Sequence, residues 1–356
     1  MTDATADETT WPDVLETLLS GRDLSVSEST WAMTQVMAGE ATPSQLAGFL
    51  IALRAKGETV DEIVGFRDAI LDAALPLPVS SDALDIVGTG GDRFGTVNVS
   101  TMASIVAAAT GVPVIKHGNR AASSSSGSSD VLEALGVSLT LEPEAVGEVL
   151  QRAGITFAFA GAFHPGFRHA AATRRELGVA TVFNFLGPLC NPARAEANAV
   201  GVAHLERVPL ITGVFRTRGA TALVFRGDDG LDELTTTGHS RMWEISRGDM
   251  HEHDIDPRDL GIPRASIDQL RGGDPHHNAD VVRRVLAGDP GPVREIVLLN
   301  AAAGIVAYRL SKDAAQAQRP IIERLAEERE RAAAAIDDGR AQAKLTEWVE
   351  VTRVLG

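Results

Sequence analysis

The sequence predicts an α/β protein: a small all-helical domain joined to a larger α/β domain with a mostly parallel central sheet. Three observations carry this. Residues 1–75 read as helices only. After Pro78 short apolar runs alternate with helical segments, the rhythm of a parallel sheet with crossover helices. Three short polar signals, Asp85–Asp92, Asn98–Thr101 and Lys116–Arg120, fall at the junctions of those segments, where such a sheet presents its ligands.

Pro12 marks a first helix start, and Gly21 follows its end. A second helix spans about Ser27–Ala38 and stops at Gly39. Thr42-Pro43 is a cap followed by proline in the first turn, and Gly57 closes that helix. Within it Leu46, Phe49, Leu50 and Leu53 form one apolar stripe. Thr59–Glu62 is a capping box opening a fourth helix, with Ile63, Phe66 and Ile70 on its buried face. Pro76-Leu77-Pro78 ends this domain, which sets its expected bounds at 1–78.

Leu84–Val87, Val112–Ile115, Val137–Leu141, Ile155–Ala160, Ala222–Phe225 and Glu295–Leu299 read as strands. Helices are expected around Ser100–Thr110, Asp130–Leu135, Glu144–Ala153, 164–178 and Asn300–Tyr308. Asn184–Pro192 and the Gly/Asp/Pro-rich stretches near 226–232 and 271–292 read as loops.

The 356 residues suffice for one large or two unequal domains, and 44% hydrophobic with 23% charged residues is a globular composition. A formal charge of −15 argues against nucleic-acid and anionic-membrane partners, which need basic patches. Cys190 is alone, so neither a disulfide framework nor a thiolate metal site is expected. The acidic first 20 residues make no export signal, and no run approaches the roughly 18 apolar residues that span a membrane. A soluble, cytoplasmic protein is expected.

The Gly88–Asp92 turn after a strand lets a ligand approach the backbone closely, and the N–H groups of a helix opening near Ser100 favour an anion. An isolated Gly-Thr-Gly-Gly is equally a tight turn, and Ser100 is equally a cap. The turn is neither a Walker loop nor a dinucleotide fingerprint. Lys116 through Arg120, then Ser123–Ser128, reads as a flexible, donor-rich loop after a strand, and Lys116 is one of only four lysines. Asp232-Glu233 supplies adjacent hard oxygen ligands of the kind that suit Mg²⁺, although a solvated acidic turn has the same sequence. His251, His253, His276 and His277 lack ligand spacing and read as surface loop residues, and the acid run Asp249–Asp259 reads as solvated.

Taken in order, DIVGTGGD (85–92), NVST (98–101), KHGNR (116–120), the serine-rich stretch to Gly136, HPxxRxAxxxRRELG (164–178), TVFNFLGPLCNPA (181–193) and GLDEL (230–234) closely resemble anthranilate phosphoribosyltransferases of tryptophan biosynthesis. The likeness runs over residues ~40–310. It implies transfer of the phosphoribosyl group of 5-phosphoribosyl-1-pyrophosphate (PRPP) to the amine of anthranilate, with release of pyrophosphate. It also implies a homodimer, Mg²⁺, a fold of the nucleoside phosphorylase/phosphoribosyltransferase type, and an active site between two domains. The segment 164–190 would pack back onto the helical domain, leaving 79–163 and 191–356 as the α/β domain.

The resemblance carries Gly88, Gly91, Asp92, Thr96, Asn98, Val99, Ser100, Thr101, Lys116, His117, Gly118, Asn119, Arg120, Ala121, Ala122, Ser123, Ser124 and Ser128 over as PRPP contacts. Ser100, Asp232 and Glu233 carry over as Mg²⁺ contacts. Gly88, Asn119, His164, Arg174 and Pro188 carry over as the anthranilate pocket, with Lys116, His117 and Arg174 the catalytic candidates. Two alternatives stand beside this reading: a pyrimidine-nucleoside phosphorylase of the same architecture, and a nucleic-acid-binding relative without transferase activity.

Overall fold

The computed structural model describes residues 9–120 and 125–356. Ala121, Ala122, Ser123 and Ser124, four of the expected PRPP contacts, lie outside the described residues. The chain divides into two compact units. One is the chain up to Ala74 together with His164–Cys190, and the other is Leu75–Phe163 with Asn191–Gly356.

The helical unit opens with α1 (Trp11–Leu19), α2 (Val26–Ala38), α3 (Pro43–Lys56) and α4 (Val60–Asp72). Each is started by its own sequence. Ser25, Thr42 and Thr59 accept from backbone N–H groups of the first turn, and Pro43 occupies the first helical position of α3. The stripe Leu46, Phe49, Leu50 and Leu53 is buried, as are Ile63, Phe66 and Ile70. Trp11, Phe49 and Phe66 meet edge to face at centroid distances of 5.6–5.7 Å. The second segment adds a helix at Arg168–Leu177, α9 in chain order, which packs on α2 and α3. The approach is close: a Cβ at Gly166 would run into the backbone of Met37 at 2.8 Å. Short 3₁₀ turns at Val182–Asn184 and Gly187–Leu189 complete the unit.

The larger unit is one seven-stranded sheet: β1 (Leu84–Gly88), β2 (Val114–Gly118), β3 (Ile155–Phe159), β4 (Ala197–Gly201), β5 (Thr221–Gly227), β6 (Ser240–Ser246) and β7 (Asp249–Ile255). Its order is β3-β2-β1-β4-β5-β6-β7. The first five are parallel, and β6 and β7 extend the sheet antiparallel. Its helices are α5 (Val99–Ala109), α6 (Ser128–Leu135), α7 (Pro143–Ala153), a single turn α8 (Ala160–Phe163), α10 (Val208–Thr217), α11 (Pro275–Leu286), α12 (Pro292–Lys312), α13 (Ile321–Asp337) and α14 (Arg340–Leu355). The core gathers on α5 and α12, which pack on each other and on β1, with Gly304 of α12 directly over Ile86.

Several sequence readings are corrected. Glu295–Leu299 is helical, part of α12; Ile296–Leu299 is fully buried there, and a short apolar run of that kind fits a strand or a buried helix equally. Val137–Leu141 runs between α6 and α7 without joining the sheet. The stretch 271–292 contains α11, started by Asp274 accepting from His277 N–H with Pro275 in its first turn. His276 and His277 therefore lie on a helix and His251 and His253 on β7, and none is in a loop. The acid run 249–259 is the edge strand followed by a turn, and Asp256 within it is buried against Arg258 and Arg264. The strands β4, β6 and β7 were not expected. The helical unit ends at Ala74, ahead of the expected 78.

Candidate active site

Strand order reverses between β1 and β4, since β2 and β3 lie on one side of that pair and β5 on the other. Loops leaving the carboxyl ends of such strands diverge and open a crevice, the usual ligand position in open α/β sheets. The loop after β1 is the glycine-rich turn. Gly90, Gly91 and Gly95 have φ of 68°, 90° and 64°, and Arg93 between them also sits at φ 63°. Thr89 N–H donates to Gly201 O at 2.9 Å, and Thr89 Oγ1 accepts from Ala203 N–H at 3.1 Å, which ties this loop to the exit of β4.

Asp232 is the centre of the arrangement. Its Oδ2 accepts from Gly90 N–H at 2.7 Å. A Cβ at Gly88 would collide with its carboxylate, and one at Gly201, the residue paired with Gly88 across β1 and β4, would collide with its backbone. The two glycines are the space in which the Asp232 loop sits. Asp92, Asp232 and Glu233 each bring a carboxylate oxygen to one place, all within 4.8 Å of one another. Burial pushes the Asp232 carboxyl up to about 7, with the charge of Asp92 adding to it. Glu233 is raised well above its ordinary value by burial and then by Asp232 and Asp92, and Asp92 is raised by burial. Among the described residues, Glu233 Oε2 is buried with no hydrogen-bond partner. Buried, mutually repelling, incompletely satisfied carboxylates fit a hard divalent cation, which favours their charged forms. The sequence had placed Asp232 and Glu233 with the metal and Asp92 with PRPP only; about 140 residues of separation hid the third carboxylate.

Facing the same region is the N-terminus of α5. Ser100 lies in its first turn, and Asn98 precedes it as cap residue. Asn98 Nδ2 donates to Ser126 O at 3.2 Å and Asn98 Oδ1 accepts from Asn278 Nδ2 at 2.8 Å. Asn278 belongs to α11, in a stretch whose Gly/Asp/Pro-rich flanks read as loop, so the sequence alone does not show this support. Thr96 bridges to Arg271, and Val97 N–H donates to Leu270 O. Val99 and Thr101 are buried in α5.

Lys116, His117 and Gly118 belong to β2, so the expected flexible loop begins later than the sequence suggested. Lys116 is 1% exposed. Its ammonium donates to Ile86 O at 2.6 Å and Ser100 Oγ at 3.1 Å. Burial lowers it to about 8, against the raising fields of Asp85, Glu233 and Asp232. Asp85, which burial pushes up to about 6, accepts from His117 N–H at 3.1 Å and from Asn191 Nδ2 at 2.9 Å. Gly118 leaves no room for a Cβ against Ser128 and Phe157. Asn119 O accepts from Ser128 Oγ at 3.3 Å, and Arg120 is exposed and paired with Asp130 and Glu133.

The remaining expected residues lie in the helical unit. His164 is buried, with Nε2 2.8 Å from Cys190 O, and burial lowers it to about 4, so it is neutral. Arg174 is on α9 and half-buried, with its guanidinium 5.0 Å from the centre of the Phe183 ring; burial lowers its pKa. Pro188 is buried in the Gly187–Leu189 turn.

This sheet, its glycine cradle and its carboxylates match a family model described as "Glycosyl transferase family, a/b domain" over residues 80–342, and residues 12–74 match its helical bundle domain. The chain is 71% identical over 343 residues to an anthranilate phosphoribosyltransferase of Leifsonia xyli, covering 96% of this chain and 98% of the relative. A crystal structure of the Thermus thermophilus enzyme of that name superposes with a TM-score of 0.87 at 43% identity, over 96% of this chain and 99% of that one. A Saccharomyces cerevisiae enzyme of the same name, in complex with PRPP and Mg, gives a TM-score of 0.87 at 27% identity over 98% and 99%. The chain belongs to the glycosyltransferases and, within them, to the anthranilate phosphoribosyltransferase family.

Proposed function

We infer that this enzyme transfers the phosphoribosyl group of PRPP to the amine of anthranilate, giving N-(5-phosphoribosyl)anthranilate and pyrophosphate in tryptophan biosynthesis. The observation that carries the site reading is the convergence of Asp92, Asp232 and Glu233 beside a glycine loop and a helix N-terminus. The amine nitrogen attacks C1 of the ribose, the C1–O bond to pyrophosphate breaks with its electron pair leaving on pyrophosphate, and the nitrogen loses a proton. Mg²⁺, held by Asp92, Asp232 and Glu233 with Ser100, would neutralise the departing pyrophosphate.

The chain's own groups do the rest. The N–H groups of the Gly88–Asp92 loop and of the first turn of α5 receive phosphate oxygens, with Ser100 and Thr101 hydroxyls as further donors. Lys116 holds Ser100 Oγ in place and offsets the charge of the carboxylates from behind. Residues 119–128, which follow β2 in the chain, supply donors for the ribose 5-phosphate. Arg174 takes the anthranilate carboxylate, a bidentate role suited to a guanidinium, and neutral His164 lines the same pocket with Pro188. Anthranilate's amine is already unprotonated near neutral pH, so positioning outweighs proton abstraction.

A cytoplasmic homodimer is the form we propose. Among the described residues no helix is long and apolar enough to cross a membrane. Exposed Leu19, Val26 and Ile51 of the helical unit are apolar groups that a second copy would cover. Product analysis tests the reaction: PRPP, anthranilate and Mg²⁺ yield phosphoribosylanthranilate and pyrophosphate in equal amounts, and a pyrimidine nucleoside with inorganic phosphate yields no free base. Free base from the nucleoside, with anthranilate untouched, would overturn it.

A further inference from the structure

Arg174 differs from the other half-buried or paired arginines of the molecule in what surrounds it. Its guanidinium makes no hydrogen bond and no ion pair with the described residues, and burial disfavours its charge. Its guanidinium lies over the ring of Phe183, 5.0 Å from Cζ to centroid. Arg120 also lies over a ring, Phe159 at 5.7 Å, but it is exposed and already carries two carboxylates. The face of Phe183 is therefore what the sequence offers a cation that has no anion of its own.

The support under that ring is built. Phe183 is the middle residue of the Val182–Asn184 turn, closed by Thr181 N–H donating to Asn184 Oδ1 at 2.8 Å. Phe167 meets Phe183 edge to face, with centroids 5.8 Å apart and planes at 87°. Phe167 in turn lies 5.2 Å from the ring of His164. A ring held edge to face by Phe167 and by its own turn sets the position of the group lying on it. A cation over a ring face still presents its N–H edges outward, the geometry a carboxylate takes bidentately.

We propose that Phe183 is a positioning residue for the acceptor: its ring holds the Arg174 guanidinium in place so that its N–H edge is preorganised for the anthranilate carboxylate. This rests on the reading of Arg174 as the carboxylate clamp. Phe183 touches neither substrate in this scheme and acts through Arg174.

Steady-state kinetics of Phe183→Leu, Phe183→Tyr, Arg174→Lys and the double variant Phe183→Leu/Arg174→Lys test it, with melting temperatures measured alongside. Phe183→Leu is expected to raise the anthranilate KM about 5- to 10-fold, the loss of a partly desolvated cation–ring contact, and to leave the PRPP KM within twofold. Phe183→Tyr keeps the ring face and restores the anthranilate KM. In the Arg174→Lys background, Phe183→Leu adds less than about twofold, because the two changes remove one coupled unit. If Phe183→Leu does not fold, Phe183→Met takes its place with the same expectations. An unchanged anthranilate KM, equal increases for both substrates, or full additivity in the double variant overturns the role of Phe183 while Arg174 stands. An unchanged anthranilate KM in Arg174→Lys removes Arg174 as the clamp, and the proposal falls with it.

Discussion

Lys116 shows how a side chain's chemistry and its address differ. Its rarity and its place before Gly118 pointed to a ligand-facing ammonium, yet the structure buries that ammonium against Ile86 O and Ser100 Oγ. Removing one partner from a buried set of charges typically costs about 3–5 kcal/mol. Lys116→Met should therefore lower the melting temperature of the free protein as well as kcat/KM for PRPP. A loss of activity with an unchanged melting temperature would return Lys116 to a loop facing the substrate. Arg174→Ala should weaken anthranilate use by about 1.5–3 kcal/mol, the worth of a charged hydrogen bond, and leave PRPP binding intact. Equal loss for both substrates in steady-state kinetics would contradict that. The carboxylates give a prediction with a sign. Asp232 is raised to about 7 in the folded chain, so its favourable contribution is present below about 4 and is lost as pH rises through 7. In EDTA the wild type should lose stability over that range more steeply than Asp232→Asn, as read from melting curves. Added Mg²⁺ should stabilise the wild type at pH 8 and leave Asp232→Asn nearly unmoved. Parallel pH curves for the two proteins would show that the carboxylate is solvated.

Elements announced by local chemistry were legible in the sequence. Thr42-Pro43 and Thr59–Glu62 start their helices because each threonine hydroxyl accepts a first-turn N–H while the Gln45 amide oxygen or the Glu62 carboxylate accepts the cap N–H, wherever the chain goes next. The glycine turn after β1 and the start of α5 were legible for the same reason. Elements decided by distant partners were not. β4, Ala197–Gly201, is short and alanine-rich, and it is a strand because β1 and β5 flank it. β7 is mostly exposed and charged, with no apolar alternation to betray it. What holds that hairpin is a buried charge set: Glu244 on β6 takes Arg324 of α13 at 2.7 Å through both oxygens, and His253 of β7 lies 2.9 Å from Oε2. Arg324→Ala would leave Glu244 buried without its cation and should destabilise the larger unit by about 3–5 kcal/mol, with both KM values unchanged. Denaturant unfolding checks the first outcome and kinetics the second. A neutral substitution would mean that water already reaches Glu244.

Over the whole chain, the residues expected as the active site divide between two units that the sequence interleaves. Gly88 through Ser128 with Asp232 and Glu233 belong to the larger, and His164, Arg174 and Pro188 to the helical one. Motif order made the set legible, because each short signal keeps its chemistry wherever it lands. The supports were illegible: Gly201 clears space for Asp232 from another strand end, and Asn278 holds Asn98 and Asp92 joins the carboxylates, both by contact across more than 100 residues of sequence. The most direct measurement follows the fluorescence of anthranilate on adding PRPP, in EDTA and then in excess Mg²⁺, for the wild type and for Asp232→Asn/Glu233→Gln. The wild type should consume anthranilate only once both PRPP and Mg²⁺ are present, and the double variant should lose most of that activity. Full turnover in EDTA, or by the double variant, would contradict a transferase built on these buried carboxylates.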